Sequence, residues 1–502
     1  MPAEIIAANR RPPPCVAPYL HPVVIQSLAR RSSLWCCGRP KPGLYEDAPG
    51  TPSRSATPRP GGWSEDRCSN PLSYSRTMRR PHPSIAPDSP CAPHSNASTR
   101  ASPIRTIPAM TTAAVPSHAE ISALAEGLRP AVAACAAESE ERRSLSPQAV
   151  ALMADAGLWR MLTPRGYGGW EAGLRAQVDT VMTLSDAYPA AGWVLMVTNA
   201  HSFVAGNFPP ECQDEVFGAS PDVRIPGTLG AQGTAVREDG GWRVSGRWQF
   251  ASGIDHGDWV ILGARADNLP ESPIRAVHVI VPKRDLIVED TWYTLGLRGT
   301  GPKDLVARDV WIPAHRSLPT AQLLDGSSPH GERHATHLYR QPMMACLSVQ
   351  LGGAAVGIAT GALRLCVERT RDRTDMSGRP RAESPATQLR IAESAVELRT
   401  AQLLVRDAAA ACERTVSRGD WLTVEERAAR RWDAAYAVAL CRRAVERVYA
   451  ADGAHGVYDE NLLQRYYRDI NTASHHAIAD FDGNGATFGR VALGLGPGNG
   501  FL

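Results

Sequence analysis

The spacing at which apolar residues recur changes twice along this chain of 502 residues. From Ser117 to about Glu215 the spacing is helical, from about 222 to 324 it is strand-like, and beyond Arg333 it is helical again. A turn signal at Asp239-Gly240 joins two of the short strands into a hairpin. Helices followed by strands and then by helices predict separately packed layers, with the strands in a compact barrel or sandwich, rather than alternating βαβ units.

The first 109 residues differ in composition from the rest of the chain. They contain 20 of the 40 prolines, and their lysines and arginines number 14 against 6 aspartates and glutamates. Proline lacks the amide hydrogen that regular structure needs, so we expect this segment to be disordered. A targeting peptide is an alternative, but the apolar run of a secretory signal is missing. We hypothesise that the working start is Met110, which N-terminal sequencing of protein made from the native locus would refute by finding earlier residues.

Charge and apolar content argue against two classes of partner. A net charge of +3 gives no electrostatic basis for binding nucleic acid. The stretch Cys346–Leu363 is uncharged for 18 residues, which is the lower edge of a membrane-spanning length. It contains four glycines and several polar residues, so we interpret it as a buried helix of a soluble bundle and expect no membrane partner.

Cysteine and histidine spacing predicts no metal site. Five of the 11 cysteines lie in the first 109 residues, and the other six are scattered without a CxxC pair. This usage is typical of a reducing compartment and predicts a cytoplasmic protein without structural zinc or a disulfide framework. His330, His334 and His337 have helical spacing, but the polar segment around them is interpreted as a solvated linker.

Four short motifs occur in order along the patterned part of the chain. Each is weak alone, whereas their order and spacing together are specific. They are Ala190-Ala191-Gly192-Trp193 with His201 and Phe208-Pro209; Gly246–Gly253 with His256 and Trp259; Gly296–Gly301; and Arg468-Asp469 with His475-His476. With these motifs the chain from Ser117 to Gly494 resembles the acyl-CoA dehydrogenase superfamily. More specifically, it is similar to the reduced-flavin-dependent monooxygenases of that fold, typified by the oxygenase components of hydroxyphenylacetate and secosteroid hydroxylases.

The resemblance implies an α+β fold of three parts: an N-terminal helical domain at 110–221, a central β-barrel at 222–326 and a C-terminal four-helix bundle at 327–502. It also implies reduced FMN or FAD as the cofactor, supplied by a separate NAD(P)H:flavin reductase. With O2, the flavin would form a C4a-hydroperoxide that hydroxylates an aromatic, phenolic or polyketide-like small molecule. The sequence shows no nicotinamide-binding βαβ unit, in agreement with a separate reductase. A homotetramer around the C-terminal helices is expected, with Cys346–Leu363 as a buried contact between subunits.

The segment Trp248–Gly253 carries the predicted flavin contacts. In the family this region lies beside the flavin, and a serine hydroxyl near N5 helps to hold the oxygen adduct. The resemblance therefore assigns a catalytic and cofactor-binding role to Ser252 and a cofactor-binding role to Trp248 and Phe250. Such an adduct survives only where water is excluded and a donor is fixed in place. The structural alternative is an ordinary hydrogen-bonded serine at the end of a strand.

The loop Gly296–Gly301 is rich in glycine but is not a dinucleotide fingerprint. It lacks the GxGxxG spacing and leads into a strand rather than a helix. A tight turn is one interpretation; the other is the family's use of this loop near the flavin, which assigns Arg298 and Thr300 to the cofactor. The family usually has a small hydroxyl residue directly after this loop, where the chain has Pro302. One possible donor to the flavin is therefore absent.

Besides the last motif, two residues are assigned to the substrate, His201 and Thr228, and His201 is also a predicted catalytic residue. His201 follows Trp193 by eight residues, about two helical turns, so both project from similar sides of one helix. A lone helical histidine is often a hydrogen-bonded core residue, but the family places a substrate-facing histidine here, which could hold a phenol or phenolate. Thr228 lies where the family presents a serine to the substrate, and its extra methyl group narrows the pocket.

The pair His475-His476 separates this chain from common acyl-CoA dehydrogenases. Those enzymes have a glutamate eight or nine residues after the Arg-Asp pair, which abstracts the α-proton of the thioester, whereas residues 470–477 of this chain contain no carboxylate. A histidine titrates near neutral pH, so His476 is the predicted base for a phenolic proton. His475 is the alternate base and a predicted substrate contact. A polar pair at a helix end is the structural alternative.

Two other functions stay open on sequence grounds. An acyl-CoA dehydrogenase would need a base outside the usual segment, and an acyl-CoA would reduce its bound flavin without oxygen. A non-catalytic helical scaffold that had lost the chemistry would have no affinity for flavin. Within the monooxygenase interpretation, oxidation at carbon is favoured, and related enzymes also oxidise nitrogen or sulfur.

Overall fold

The computed structural model describes residues 114–269, 274–498 and 502, so the predictions for residues 1–109 lie outside the described residues. The first described helix begins at the predicted capping box: Ser117 Oγ accepts the Glu120 N–H at 3.3 Å, and the Ser117 N–H donates to the Glu120 carboxylate at 2.7 Å. Six helices lead to the strands within this part of the chain: α1 (His118–Ala134), α2 (Ala136–Arg142), α3 (Pro147–Asp155), α4 (Leu174–Ala187), α5 (Pro189–Ala205) and α6 (Pro210–Phe217).

Within the described residues, seven strands then form one sheet in the order β5-β6-β2-β1-β3-β4-β7. They are β1 (Gly227–Glu238), β2 (Gly241–Ala251), β3 (Trp259–Arg265), β4 (Ala276–Pro282), β5 (Ile287–Glu289), β6 (Lys303–Pro313) and β7 (Ser317–Pro319). β1 and β2 form an antiparallel hairpin with Glu238 opposite Gly241, so the turn falls at Asp239-Gly240 as predicted. β1 and β3 run parallel, and the other neighbouring strands are antiparallel.

The sheet is open, which corrects the expectation of a closed barrel at 222–326. A barrel closes only when its two outermost strands hydrogen-bond to each other. Here the outermost strands β5 and β7 have three residues each, and among the described residues they pair only with β6 and β4. The chain leaves β5 for the loop that contains Gly296–Gly301 and leaves β7 directly for a helix, so both edges end after three residues.

Strands β3 and β4 are buried on both faces. Successive side chains of a strand point to opposite sides of the sheet. In β3, Ile261 joins the large core that the sheet shares with the helices, whereas its neighbours Val260 and Leu262 join a second core together with Trp248. One face of the sheet therefore packs on the helices, and the other forms a core of its own.

Helices return after β7, as the apolar spacing predicts. They are α7 (Thr320–Leu324), α8 (Met343–Arg371), α9 (Pro385–Ser417), α10 (Val424–Asp452), α11 (Leu462–Ala473) and α12 (Phe481–Ala492). Ser384 caps α9, with Pro385 in the first turn, and Thr423 forms a capping box with Glu426 at the start of α10. The long helices α8, α9 and α10 pack against one another, and α8 also packs against α4.

α8 is long and apolar enough to cross a membrane by length and composition, but 89% of its most apolar 18-residue window is buried inside the protein. Its glycines allow close packing: an added Cβ would lie 2.3 Å from the carbonyl oxygen of Met182 at Gly357, and 2.9 Å from the Val405 side chain at Gly352. The predicted buried helix is thus confirmed. The expectation that Cys346–Leu363 contacts another subunit is wrong, because this stretch is already covered by its own chain.

The segment expected to be a solvated linker is packed. Ser328 is buried and donates to the carbonyl oxygen of Asn207 at 2.6 Å. His334 Nε2 lies 2.7 Å from the carbonyl oxygen of Gly206, and its ring lies 4.4 Å from that of Tyr339. Within residues 114–269, 274–498 and 502, no group of three or more histidines, cysteines, aspartates or glutamates is placed to hold a metal ion.

Candidate active site

Three side chains from distant parts of the chain meet beside the sheet. They are Trp193 of α5, Ser252 directly after β2, and His476 after α11. The indole N–H of Trp193 donates to Ser252 Oγ at 3.3 Å, and the rings of Trp193 and His476 meet edge to face with their centroids 5.7 Å apart. Trp193 and Ser252 are buried. We refer to Trp193, Ser252 and His476 as the central triad of the site; two of its members are predicted site residues.

Trp248 and Phe250 lie in different environments although both were assigned to the cofactor. Trp248 is fully buried in the core of the sheet, and its indole N–H donates to the carbonyl oxygen of Gly263 at 2.6 Å. Phe250 is 62% exposed and meets the Trp292 ring edge to face at 6.3 Å. Its φ of 69° is a strained conformation for a residue with a side chain. Phe250 therefore offers an aromatic surface, whereas Trp248 supports the strand from behind.

The glycine-rich loop is joined to the serine segment through its backbone. The Gly253 N–H donates to the carbonyl oxygen of Thr300 at 2.9 Å. The Thr300 hydroxyl is buried and donates to the Leu297 carbonyl oxygen at 2.6 Å, so it holds the loop itself. Arg298 is exposed, and its Nε donates to the Thr294 carbonyl oxygen at 2.9 Å.

The Arg-Asp motif of α11 fixes the same loop. The Asp469 carboxylate accepts the Leu297 N–H at 2.6 Å, and an Arg468 Nη donates to the Leu295 carbonyl oxygen at 2.6 Å. An added Cβ at Gly296 would lie 2.3 Å from the Arg468 carbonyl oxygen, so glycine is needed for this close approach. The motif thus connects the helix that precedes His476 to the loop beside Ser252.

His201 and Thr228, which the sequence assigns to the substrate, each have one polar atom in a hydrogen bond to a backbone carbonyl oxygen. His201 is buried on α5, and its Nδ1 lies 2.7 Å from the carbonyl oxygen of Ile225. Nδ1 therefore carries the ring hydrogen, and Nε2 has the lone pair. Burial lowers the pKa of His201 to about 4. The Thr228 hydroxyl, on β1, donates to the Gln249 carbonyl oxygen at 2.8 Å.

The two adjacent histidines differ in placement. His475 is exposed, and its Nδ1 lies 2.6 Å from the Asn471 carbonyl oxygen. His476 is partly buried, and its Nδ1 accepts the Ile478 N–H at 3.2 Å. Burial lowers the pKa of His476 to about 4, so the ring is neutral at pH 7 and carries its hydrogen on Nε2. His476 therefore joins the central triad as a hydrogen-bond donor, and His475 stays outside it.

A cleft of about 540 Å³ lies beside Asp255 and His256, which follow the segment Trp248–Gly253, and beside Lys303, which follows the loop Gly296–Gly301. In this cleft Lys303 Nζ pairs with Asp255 at 2.6 Å, and His256 Nε2 lies 3.2 Å from Ser144 Oγ. Burial lowers the pKa of His256 to about 4, so its ring is neutral at pH 7. The lining residues are Arg142, Ser144, Pro147, Asp255, His256 and Lys303. The central triad is not part of this lining.

Sequence reasoning missed roles for three residues. In the sequence Trp193 is only one member of a motif, whereas in the structure its indole links Ser252 to His476. In the sequence Asp469 only marks the Arg-Asp motif, whereas in the structure its carboxylate holds the loop. Glu140 of α2 accepts the Gly299 N–H at 3.3 Å and the Tyr188 hydroxyl at 3.1 Å, and nothing in its local sequence marks it.

Comparison with known proteins identifies related sequences and structures. The family described as "Acyl-CoA dehydrogenase, C-terminal domain" matches residues 349–481. A pigment production hydroxylase of Rhodococcus erythropolis is 34% identical over 324 residues, which cover 64% of this chain and 82% of that protein. The oxygenase component of an FADH2-dependent resorcinol hydroxylase from Rhizobium is 31% identical over 392 residues, which cover 76% of this chain and 95% of that protein.

Among solved structures, XiaF from Streptomyces, determined in complex with FADH2 and glycerol, superimposes with a TM-score of 0.71. It is 31% identical to this chain, and the alignment covers 77% of this chain and 98% of XiaF. The similarity therefore extends over nearly the whole length of a protein whose structure contains reduced flavin.

Proposed function

The chain belongs to the oxygenase components of flavin-dependent two-component monooxygenases, which have the acyl-CoA dehydrogenase fold, and we propose that it hydroxylates a phenol-like small molecule. It is an oxidoreductase that uses reduced flavin, so the predictions of family, enzyme class and cofactor are confirmed. The name of the resorcinol hydroxylase supports a phenolic substrate for this chain.

The observation that carries the proposal is the meeting of the central triad. Ser252 and Trp193 are buried, so a substrate or cofactor atom held there is shielded from water. The dehydrogenase alternative needs a carboxylate base after Arg468-Asp469, and none occurs between 470 and 477. Asp469 itself is buried and accepts the Leu297 N–H. The triad contains hydroxyl, indole and imidazole groups, which suit hydrogen bonding rather than removal of a carbon-bound proton.

The residues present fit a flavin ring. The exposed Phe250 offers an aromatic surface, and the buried Ser252 hydroxyl lies two residues further along the same segment. Because Ser252 Oγ accepts the Trp193 N–H, its own hydrogen is left for donation to a polar atom at the ring edge. Bound reduced flavin would react with O2 and supply the oxygen atom that enters the substrate. Phe250, Ser252 and the backbone of Gly296–Gly301 would hold it, with Trp248 supporting the strand.

We assign different proton roles to the buried His201 and the partly buried His476. His476 donates through Nε2, which suits a phenolate oxygen, since its Nδ1 is already an acceptor for Ile478. His201 has the opposite tautomer, so its Nε2 can accept a phenolic proton. We therefore propose His201 as the base, in place of the predicted His476. Both rings are neutral in the free protein, and His201 would become protonated only as a negative phenolate oxygen forms beside it.

As the oxygenase component of a two-component system, the protein receives its reduced flavin from a separate reductase. The proposed assembly and location of the protein have their own support. A homotetramer is supported by an apolar stripe on α9, where Leu389, Val396 and Leu403 are spaced by seven residues and each is more than half exposed. α8, α9, α10 and α11 would form the four-helix bundle of a C-terminal domain at 327–502, after a helical domain at 110–221 and a sheet domain at 222–326. A cytoplasmic location accords with the six free, buried cysteines of the described chain.

One experiment tests the function directly. Anaerobically reduced FMN or FAD is mixed with the full-length protein, oxygen is admitted in a stopped-flow instrument, and flavin absorbance is followed with and without candidate phenols. We expect the protein to change the course of flavin reoxidation and to convert a phenol to a hydroxylated product. Reoxidation identical to that of free flavin would refute the proposal. Anaerobic reduction of bound flavin by an acyl-CoA would support the dehydrogenase, and an absence of any flavin affinity would support a non-catalytic scaffold.

A further inference from the structure

Two carboxylates, the buried Asp469 and the partly buried Glu140, accept backbone N–H groups of the glycine-rich loop. Asp469 of α11 accepts the Leu297 N–H through Oδ1 at 2.6 Å. Glu140 of α2 accepts the Gly299 N–H through Oε1 at 3.3 Å, and the same oxygen accepts the Tyr188 hydroxyl at 3.1 Å. The two anchored amides belong to residues only two positions apart. Both carboxylates therefore lie at one short piece of backbone.

Each carboxylate has a second oxygen that is buried and without a hydrogen-bond partner among the described residues. These oxygens are Oε2 of Glu140 and Oδ2 of Asp469. A buried acceptor without a donor is costly, and two such acceptors on adjacent negative groups are more so. The negative charge of Glu140 acts on Asp469, so the two groups lie near each other, and one proton shared by the pair would serve both oxygens.

The surrounding charges also favour one proton on the pair. Arg465 is a buried cation, with its guanidinium 5.4 Å from the centre of the Tyr188 ring. Arg468 is partly exposed and donates to the Leu295 carbonyl oxygen. The ionisable groups that act on Asp469 and Tyr188 from the packed elements are Glu140, Arg465, Tyr466 and Arg468. Arg465 acts on Asp469 without forming an ion pair with either carboxylate among the described residues, which leaves negative charge that a proton can neutralise.

The acidity of Asp469 agrees with this arrangement. Burial, and next to it the negative charge of Glu140, raises the pKa of Asp469 to about 7. The Leu297 N–H and the two arginines act in the opposite direction without cancelling the effect. A proton is therefore retained in the folded protein up to a pH at which an exposed aspartate has long lost it.

We propose that Glu140 and Asp469 share one proton near neutral pH, and that this proton fixes Gly296–Gly301 in the arrangement that takes the flavin. The loop transmits the effect because the Thr300 carbonyl oxygen accepts the Gly253 N–H, next to Ser252. When the proton is released to solvent at higher pH, both carboxylates are negative, they repel each other, and the loop loosens. Glu140 and Asp469 are positioning residues, and the flavin half of this inference rests on the proposed function.

Amide variants test the shared proton without changing shape. In Glu140→Gln or Asp469→Asn, one amide oxygen can still accept the loop N–H, and the amide nitrogen can donate to the partner carboxylate. Infrared spectra of the flavin-free, full-length protein at neutral pH should show a protonated-carboxyl band that either variant removes. Glu413→Gln is the matched control, because burial also raises the pKa of this carboxyl but it contacts Arg175 and not the loop. A spectrum that neither loop variant changes would overturn the inference.

The pH dependence of flavin binding tests whether the shared proton fixes the loop in the arrangement that takes the flavin. For the natural sequence, the dissociation constant of reduced flavin should rise once the pH exceeds the value at which Glu140 and Asp469 release their shared proton. The rise should be up to about tenfold per pH unit, which is the limit for coupling to one proton. Glu140→Gln should bind with little pH dependence, and Glu413→Gln should behave as the natural sequence does. Equal pH dependence in the natural sequence and Glu140→Gln would overturn the loop's role. Flavin that binds at no pH would overturn the proposed function and, with it, this half of the inference, while the infrared band decides the shared proton independently.

Discussion

Gly299 lies where no side chain fits, and its replacement by alanine tests whether the loop must stay in one place. An added Cβ would lie 1.8 Å from the Tyr188 hydroxyl oxygen and 3.2 Å from the Ala190 Cβ. Tyr188 is fully buried and donates to Glu140, so it has no free space to move into. Overpacking of this kind costs about 1–3 kcal/mol. We expect Gly299→Ala to lower the free energy of unfolding by that amount and to weaken flavin binding roughly tenfold, the equivalent of about 1.4 kcal/mol.

Urea unfolding followed by tryptophan fluorescence, together with flavin titration of the full-length protein, measures both effects. Gly127→Ala is the matched control, because an added Cβ on α1 meets nothing within 4 Å and should stabilise the helix by about 0.5–1 kcal/mol. Adding Tyr188→Phe to Gly299→Ala removes the clashing oxygen and leaves the ring carbon at 3.0 Å, so part of the binding should return. Unchanged stability and unchanged flavin affinity in Gly299→Ala would refute the reasoning.

Four further predictions concern the triad, the assembly and the response to acid. Trp193→Phe loses the N–H 3.3 Å from Ser252 Oγ, so the product formed per O2 consumed should fall while stability changes by about 1 kcal/mol. His476→Asn keeps a donor and should retain more activity than His476→Ala, in which loss of a hydrogen bond to a charged oxygen should lower kcat/KM about 10- to 100-fold; equal loss in both variants would contradict a donor role. Val396→Asp, at a side chain 53% exposed in the single chain, should give a smaller particle by light scattering without loss of helical circular dichroism. Burial lowers the pKa of four histidines to about 4; they are His201, His256, His278 and His476. Their contribution to stability is full above about pH 6.5 and is lost as the pH falls through about 4. Urea unfolding should therefore give a lower free energy of unfolding at pH 5 than at pH 7.

The order of elements could be predicted because each depends on local spacing. A helix repeats its apolar residues every three to four positions and a strand every second position, and both patterns are visible without knowledge of the fold. Ser117 and Asp239-Gly240 act through hydrogen bonds and dihedral angles within a few residues, so their roles could also be predicted. The openness of the sheet could not, because closure depends on whether two edge strands far apart in sequence meet.

The different placement of Trp248 and Phe250 shows where strand periodicity fails. Two residues apart on a regular strand, they should share a face. The register between β2 and β6 shifts between Trp248 and Ala251, and Phe250 has a positive φ. This bulge turns Phe250 away from the core that contains Trp248. A one-residue irregularity of this kind depends on the partner strand and leaves no pattern in the sequence of β2.

The Arg468-Asp469 pair indicates how one fold can support both dehydrogenase and monooxygenase chemistry. Apart from a hydrogen bond from Arg468 to Gln464 on α11 itself, the two side chains bond to the backbone of Leu295–Leu297, so the pair holds the loop. α11 ends at Ala473, and the residues after it are free of that task. His476, seven positions beyond Asp469, can therefore bring its ring against Trp193 while the loop contacts stay unchanged. A change of residue in this short segment would alter the proton chemistry of the site without requiring the loop to be rebuilt.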